Sequence, residues 1–406
     1  MVFNLRTFSF AESVEDDPTP PQSFSLKELQ HATDNFSSNN LMRYFLSGNV
    51  YKGRLADGSL VAVHRASSVD SFREERFEER FKAEVQVGST VSTHPNVLCL
   101  RGFCRTKKEL LLVYPLMINN SLSYNLTKRP DRFARPLDWT TRKRIALGAA
   151  RGLAHLHNQG NIKIMHRDIK ASNILLNVYF EAVIGGSSRA VIMNENNAEE
   201  GTIEWATWSA DFGSDSRIYH RYEDVYVNTP IRDTNMFIAP EYFCTGKCTL
   251  KNDVFAYGKM LLELMSGTGI SELHRLAYDE NLSLEEWISD LNNKNELGRV
   301  IDPNLQENYM EEEAERLVGF ALLCSHGDPS IRPEMSEVVR MLESQFLQRD
   351  PSTSTRSSWS QSEGDSTPYY SFPPSPSPLG IAPECAEILI SAEENRMCRD
   401  SHFSIK

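Results

Sequence analysis

The chain has 406 residues, 40 % of them hydrophobic and 24 % charged, with a formal net charge of -12. That length suffices for one large two-lobed domain or two ordinary ones, with a core that needs no disulfide staples. The acidic balance excludes a nucleic-acid binder built on clustered Lys and Arg. The seven scattered cysteines, with no second pair to match Cys244 and Cys248, exclude a zinc framework and fit a reduced, intracellular chain.

Residues 1 to about 23 hold Glu-Asp-Asp-Pro and Pro-Pro clusters without apolar periodicity and read as a flexible leader. The Met1-Val2-Phe3 start lacks the order of a signal peptide and the glycine of a myristoylation site, and no apolar run reaches membrane-spanning length. The expectation is a cytoplasmic chain without direct membrane insertion, drawn to the plasma membrane only through a partner. Residues 24–40 open on Ser25 with Glu28 three residues later, a capping box, and Leu26, Leu29 and Ala32 follow at helical spacing. From Val50 to Val63, two alternating runs flank Ala56-Asp57-Gly58, a hairpin signal. Phe72 to Val91 is charged and helical in period, and LLLVYPL at 110–116 reads as a strand. The stretches 140–156, 253–265 and 312–347 are mostly helical. Strands first and helices after predict an α+β chain with a small β-rich lobe joined to a larger helical one. Residues 346–406 carry a Ser/Thr/Pro-rich stretch too poor in aliphatics to pack, expected to be a disordered tail.

The chemistry is carried by His166-Arg167-Asp168-Ile169-Lys170-Ala171-Ser172-Asn173, which fits HRDxxxxN. In that pattern Asp168 accepts the proton of a substrate hydroxyl and Asn173 holds a magnesium ion across the phosphates. Lys170 is the type expected where serine or threonine is the acceptor, and steadies the transferred phosphate.

Further segments extend the pattern: FSLKELQHATDNFS (24–37), VYKGRLADGSLVAV (50–63), LRGFC (100–104), LLVYPLM (111–117), PLDW (136–139), RIALGAARGLAHLH (144–157), HRDIKASNILL (166–176), IAPEY (238–242), DVFAYG (253–258) and RPEMSEVVRMLE (332–343). With them the chain resembles the plant receptor-like protein kinases, and more narrowly the cytoplasmic part of leucine-rich-repeat receptor kinases of the somatic embryogenesis receptor kinase type. The resemblance implies a two-lobed protein kinase fold with an N-lobe over about 41–117 and a C-lobe over about 118–345, preceded by a juxtamembrane-like helix at 24–40. It implies ATP and Mg as cofactors, and receptor kinases or other signalling proteins as partners. By the same resemblance Gly48 belongs to the glycine-rich loop, Val50, Ala62 and Leu175 enclose adenine, and Tyr114 to Met117 form the gatekeeper and hinge. Glu84 is the helix carboxylate that pairs with a strand lysine. Asp253 anchors the catalytic loop, Glu241 and Arg332 form a buried ion pair, and Arg167 marks a kinase whose activation segment is phosphorylated, with Thr229 and Thr234 as acceptors.

Three departures stand against this pattern. The loop expected as GxGxxGxV reads Arg43-Tyr44-Phe45-Leu46-Ser47-Gly48-Asn49-Val50, so only one glycine is kept and Phe45 puts a ring where backbone amides approach phosphates. The strand lysine is His64, shorter and, at a reference pKa of about 6.5, mostly neutral at pH 7. Glu84 is expected to lose its partner. Lys52 shares a face with Val50 but is an ordinary residue there, and Arg65 points the other way.

The third departure is one of spacing. The text EAVIGGSSRAVIM puts Gly186 where the metal-binding Asp of Asp-Phe-Gly should stand, while an Asp211-Phe212-Gly213 occurs later, before an activation-segment-like run at 222–242. Either an insert over about 186–210 loops out and returns Asp211 to join Asn173 as a metal ligand, or EAVIGG keeps the hairpin and the site lacks a carboxylate. Loop entropy permits both. Two functions follow: a receptor-kinase-like pseudokinase or severely weakened kinase acting by docking or as a substrate, and an active serine/threonine kinase using Asp168, Asn173 and Asp211.

Overall fold

The computed structural model describes residues 20–45, 48–66, 71–107, 109–127, 136–194, 225–226, 235–245, 247–306 and 308–346. The N-terminal part contains β1 (Gln22–Ser23), α1 (Leu26–Ala32), β2 (Leu41–Phe45), β3 (Gly48–Arg54), β4 (Leu60–Ala66), α2 (Ser71–Thr90), β5 (Gly102–Arg105) and β6 (Leu110–Pro115). Its six strands form one sheet in the order β1-β5-β6-β4-β3-β2, antiparallel except for the short β1–β5 pairing.

Strand periodicity divides the work of this sheet. In β4, Val61 and Val63 are fully buried and pack with Phe24, Leu29, Leu111 and Val113 under α1. The alternate residues Ala62 and His64 therefore face the other side, where α2 lies and Phe81, Leu100 and Leu112 form a second cluster. The capping box holds α1 in place, with Ser25 Oγ accepting from the Glu28 amide at 3.2 Å and Glu28 Oε2 accepting from the Ser25 amide at 2.6 Å. The β3–β4 hairpin turns at Gly58, whose φ of 84° suits a residue without Cβ.

The C-terminal part follows with α3 (Leu122–Thr127), α4 (Trp139–His157), β7 (Ile162–Met165), β8 (Ile174–Leu176), β9 (Ala182–Ile184), β10 (Val191–Asn194), β11 (Val225–Tyr226), α5 (Pro240–Thr245), β12 (Lys247–Cys248), α6 (Leu250–Ser266), α7 (Ile270–Asp279), α8 (Leu284–Asn293), α9 (Glu311–Cys324) and α10 (Met335–Phe346). Helix α6 is the axis: every residue from Asn252 to Ser266 is buried, as a helix apolar nearly all round demands. It starts on a Thr249 capping box and stops at Gly267 in the left-handed region. Arg142 of α4, also buried, donates to the Leu264 carbonyl at 2.6 Å and to Asp302, tying α4 to the end of α6. A β-sheet followed by a helical region is the order that the kinase resemblance implies. No helix among the described residues is long and apolar enough to cross a membrane.

Candidate active site

The turn between β7 and β8 carries His166 to Asn173, and Asp253 at the start of α6 shapes it from below. Asp253 Oδ2 accepts the His166 amide and Oδ1 the Arg167 amide, each at 2.7 Å, and the His157 ring lies 3.0 Å from Oδ2. Those bonds hold Arg167 at a φ of 64°, a conformation a non-glycine residue keeps only when its surroundings impose it. Burial alone would raise the Asp253 pKa, but hydrogen bonds from His157 and the loop amides outweigh it and keep the carboxylate ionised. His166 is buried and neutral, because burial lowers its pKa. Its Nε2 faces the Gly185 carbonyl at 3.1 Å and so carries the proton, leaving Nδ1 to accept the Asp168 amide at 3.3 Å.

This scaffold leaves the Asp168 side chain 13 % exposed, with both carboxylate oxygens engaged. Lys170 Nζ lies 2.9 Å from Oδ1, and Asn173 Nδ2 donates to Oδ2 at 2.9 Å and to the Asp168 carbonyl at 2.7 Å. Behind the loop, the buried Glu263 carboxylate accepts the amides of Ala171 and Ile270, each at 3.1 Å, and burial pushes its pKa up to about 7. Asp168 can accept a proton from a hydroxyl presented above it, with Lys170 beside the same point.

The hairpin β8–β9 is kept, with Ile174 opposite Ile184 and the Gly185 amide on the Asn173 carbonyl at 2.9 Å. Gly186 therefore stands against Asn173, at a φ of 82° and so close that a Cβ would lie 2.9–3.1 Å from the Asn173 amide group. Through Asn194 the chain follows the second of the two arrangements the sequence leaves open, with the hairpin kept. Val191 to Asn194 pair with Ile162 to Met165 in full antiparallel register, Met193 is buried, and the 3-10 turn Ser187–Arg189 fills the space between. The consecutive apolar residues Val191, Ile192 and Met193 are taken up along the edge of β7. Asp211, Thr229 and Thr234 lie outside the described residues.

Among the described residues the side-chain set for magnesium is one ligand short: Asn173 donates its Nδ2 to Asp168 and leaves its Oδ1 beside Gly186, which supplies no side-chain ligand atom. No group of three His, Cys, Asp or Glu side chains among the described residues could hold a metal.

The nucleotide side is mixed. Val50, Ala62 and Leu175 are partly exposed apolar residues, and Ala62 sits in register with Tyr114 on β6, before Met117. Gly48 is required by strand packing, since a Cβ at its φ of 134° would run into the Arg65 carbonyl. His64 lies in register between Val50 and Leu112. Arg65 turns to the opposite face as expected, where it pairs with Glu109. Lys52 is exposed.

Glu84 has not lost its partner: the Tyr114 hydroxyl donates to Oε2. Burial pushes the Glu84 pKa up to about 7, with Arg80 opposing only in part. The sequence hid this bond because the histidine substitution vacates a lysine's reach without saying which polar group fills it. Ser187 lines a cavity of about 20 Å³ with Glu84, Val87 and Tyr114, room for about one water. Arg189, a basic residue three places after Gly186 that fits no motif in the sequence, brings its Nη1 to 3.9 Å from Asp168 Oδ1. The expected buried pair is present, Arg332 bridging both Glu241 oxygens at 2.7 and 2.8 Å. Arg167 donates to the Arg189 carbonyl at 3.2 Å and to the Tyr242 hydroxyl at 3.1 Å.

A family profile described as "Protein kinase domain" matches residues 46–353. The chain belongs to the protein kinase family. Over 325 residues the chain is 43 % identical to a probable LRR receptor-like serine/threonine-protein kinase of Arabidopsis thaliana, a match covering 80 % of the chain and 48 % of the relative. It is 42 % identical, over the same share of each chain, to the LRR receptor kinase SERK2 of Oryza sativa subsp. japonica. The resemblance to leucine-rich-repeat receptor-like serine/threonine kinases thus holds through most of the chain, which spans about half the length of these relatives.

Proposed function

We propose that this chain is a receptor-kinase-like signalling protein whose phosphotransfer is absent or severely weakened, and that it acts by docking to receptor kinases or other signalling proteins or as their substrate. The observation that carries this reading is Gly186 standing against Asn173, where a second carboxylate would be needed for magnesium. Phosphoryl transfer depends almost wholly on positioning and charge neutralisation. His64 in place of lysine and the loss of loop glycines act in the same direction. Thr229, Thr234 and the Ser/Thr-rich run after residue 350 are the proposed acceptor sites.

The test is radiolabelled phosphotransfer by the full chain with ATP and magnesium or manganese, beside Asp168→Asn, Asp211→Asn and His64→Lys. The expected result is no turnover above the Asp168→Asn background. Clear wild-type turnover abolished by Asp168→Asn would sink the pseudokinase reading. The second reading, an active serine/threonine kinase, is favoured by the intact loop with Lys170 2.9 Å from Asp168, and requires that Asp211→Asn also abolish turnover.

A further inference from the structure

Two histidines meet where the chain leaves α2. The His94 and His155 rings stack at a centroid distance of 4.4 Å and an interplanar angle of 20°. Both are half-buried, His94 in the loop 91–101 between α2 and β5 and His155 in the last turn of α4. Their bonds fix both tautomers. His94 Nδ1 accepts the Asn96 amide at 3.1 Å, so its proton sits on Nε2, and His155 Nε2 donates to the Ser92 carbonyl at 3.0 Å. Beside the stack, Ser92 gives its amide and its hydroxyl to Gln159 Oε1 at 3.2 and 2.9 Å, and Gln159 Nε2 donates to the His155 carbonyl at 2.7 Å. The approach is close, since a Cβ at Gly152 of α4 would run into the Asn96 carbonyl. Together these contacts clasp the loop to the helical lobe.

We infer that the His94–His155 stack is an acid-sensitive latch, which holds the loop to α4 at neutral pH and lets it go as the rings take up a proton. A proton added at His94 Nδ1 sets an N–H against the Asn96 amide, and one added to His155 puts a cation face to face with the neighbouring ring. No carboxylate among the described residues is hydrogen-bonded to either ring. Besides His155, the charged group facing His94 is Arg151 of α4, which has the same sign as an imidazolium and pairs with Glu343 of α10 at 2.7 Å. Glu84 and Cys99 line the same small cavity as His94 without bonding to its ring. Burial first, then the neighbouring ring, lowers the His94 pKa from 6.5 to about 4, and burial lowers that of His155. An opened loop restores the ordinary value, so opening takes up protons. The clasp is therefore at full strength above about pH 6.5 and weakens as the pH falls below it. Because Glu84 and Tyr114 line the cavity beside His94, release also loosens the floor beneath α2.

The experiment is hydrogen–deuterium exchange of the full chain at pH 5.0, 6.0 and 7.5, corrected for the intrinsic exchange rate at each pH. Amides of the loop 91–101 should exchange on the order of tenfold faster at pH 5.0 than at pH 7.5, while those of α6 keep their protection. His94→Gln, which can still accept the Asn96 amide but does not titrate, should remove the larger part of that ratio. His155→Phe, which keeps a stacked ring, should lower it in part. Gln159→Leu should raise exchange at every pH and leave the ratio as in wild type, because that side chain clasps the loop without titrating. A thermal melt at pH 7.5 shows that each variant is folded. A wild-type ratio near one overturns the inference, as does a ratio that survives when His94→Gln and His155→Phe are combined. Equal acceleration in α6 also overturns it, since the acid response is then global unfolding.

Discussion

The Tyr114 hydroxyl donates to the Glu84 carboxylate, joining strand β6 to helix α2. Burial raises the Glu84 pKa from 4.5 to about 7. Between those values the native state binds more protons than the unfolded chain, so stability falls as pH rises through this window and levels off above it. The size is up to roughly 3 kcal/mol. Glu84→Gln should flatten urea-denaturation stabilities measured from pH 4.5 to 8, leaving the part due to Glu263, which titrates in the same window. An unchanged slope would refute the assignment to Glu84.

His64→Lys tests the same carboxyl from the strand. Position 64 shares its sheet face with Ala62 and Leu112, on the side of α2, so an ammonium there is expected to stabilise the charged form of Glu84. The fall in stability between pH 4.5 and 7 should shrink relative to wild type. A slope identical to wild type would mean that the new cation does not reach Glu84.

The Glu241–Arg332 pair is enclosed, the arginine side chain showing 0 % exposure. Arg332→Met leaves Glu241 without its cation and should cost about 3–5 kcal/mol in chemical denaturation. Glu241→Gln combined with Arg332→Met should recover part of that loss, because no unpaired charge is then left. If the double variant were as unstable as the sum of the two single variants, the coupling would be disproved.

Gly186→Asp puts a carboxylate beside Asn173, but the backbone resists it. The new residue must adopt a φ of 82° with its Cβ pressed on the Asn173 amide, which should lower stability by about 1–2 kcal/mol. Magnesium-dependent nucleotide binding should not follow from this change alone. A variant that melts at the wild-type temperature and gains such binding would contradict the geometry.

Features set by neighbours in sequence were readable before any coordinates. The capping box at Ser25 and Glu28, the Asp57-Gly58 hairpin and the catalytic loop are local patterns whose residue types have few other uses. The anchoring of that loop by Asp253 followed only from the family resemblance. The Tyr114–Glu84 bond was not legible, because it joins a helix and a strand across 30 positions and depends on what a shortened side chain leaves open. Arg189 stayed hidden for another reason. Its place beside Asp168 depends on whether β8–β9 closes before the extra residues or after them, and loop entropy distinguishes the two too weakly.

Asp253 has a consequence for how such a protein changes over generations. It receives the amides of His166 and Arg167 and the ring of His157 from inside the helical lobe, and none of these groups belongs to the nucleotide-holding parts. The loop's form is therefore indifferent to whether any phosphate is ever held above it. Substitutions in the stretch around Gly48 or at position 64 leave these bonds untouched, and the helical lobe keeps its form.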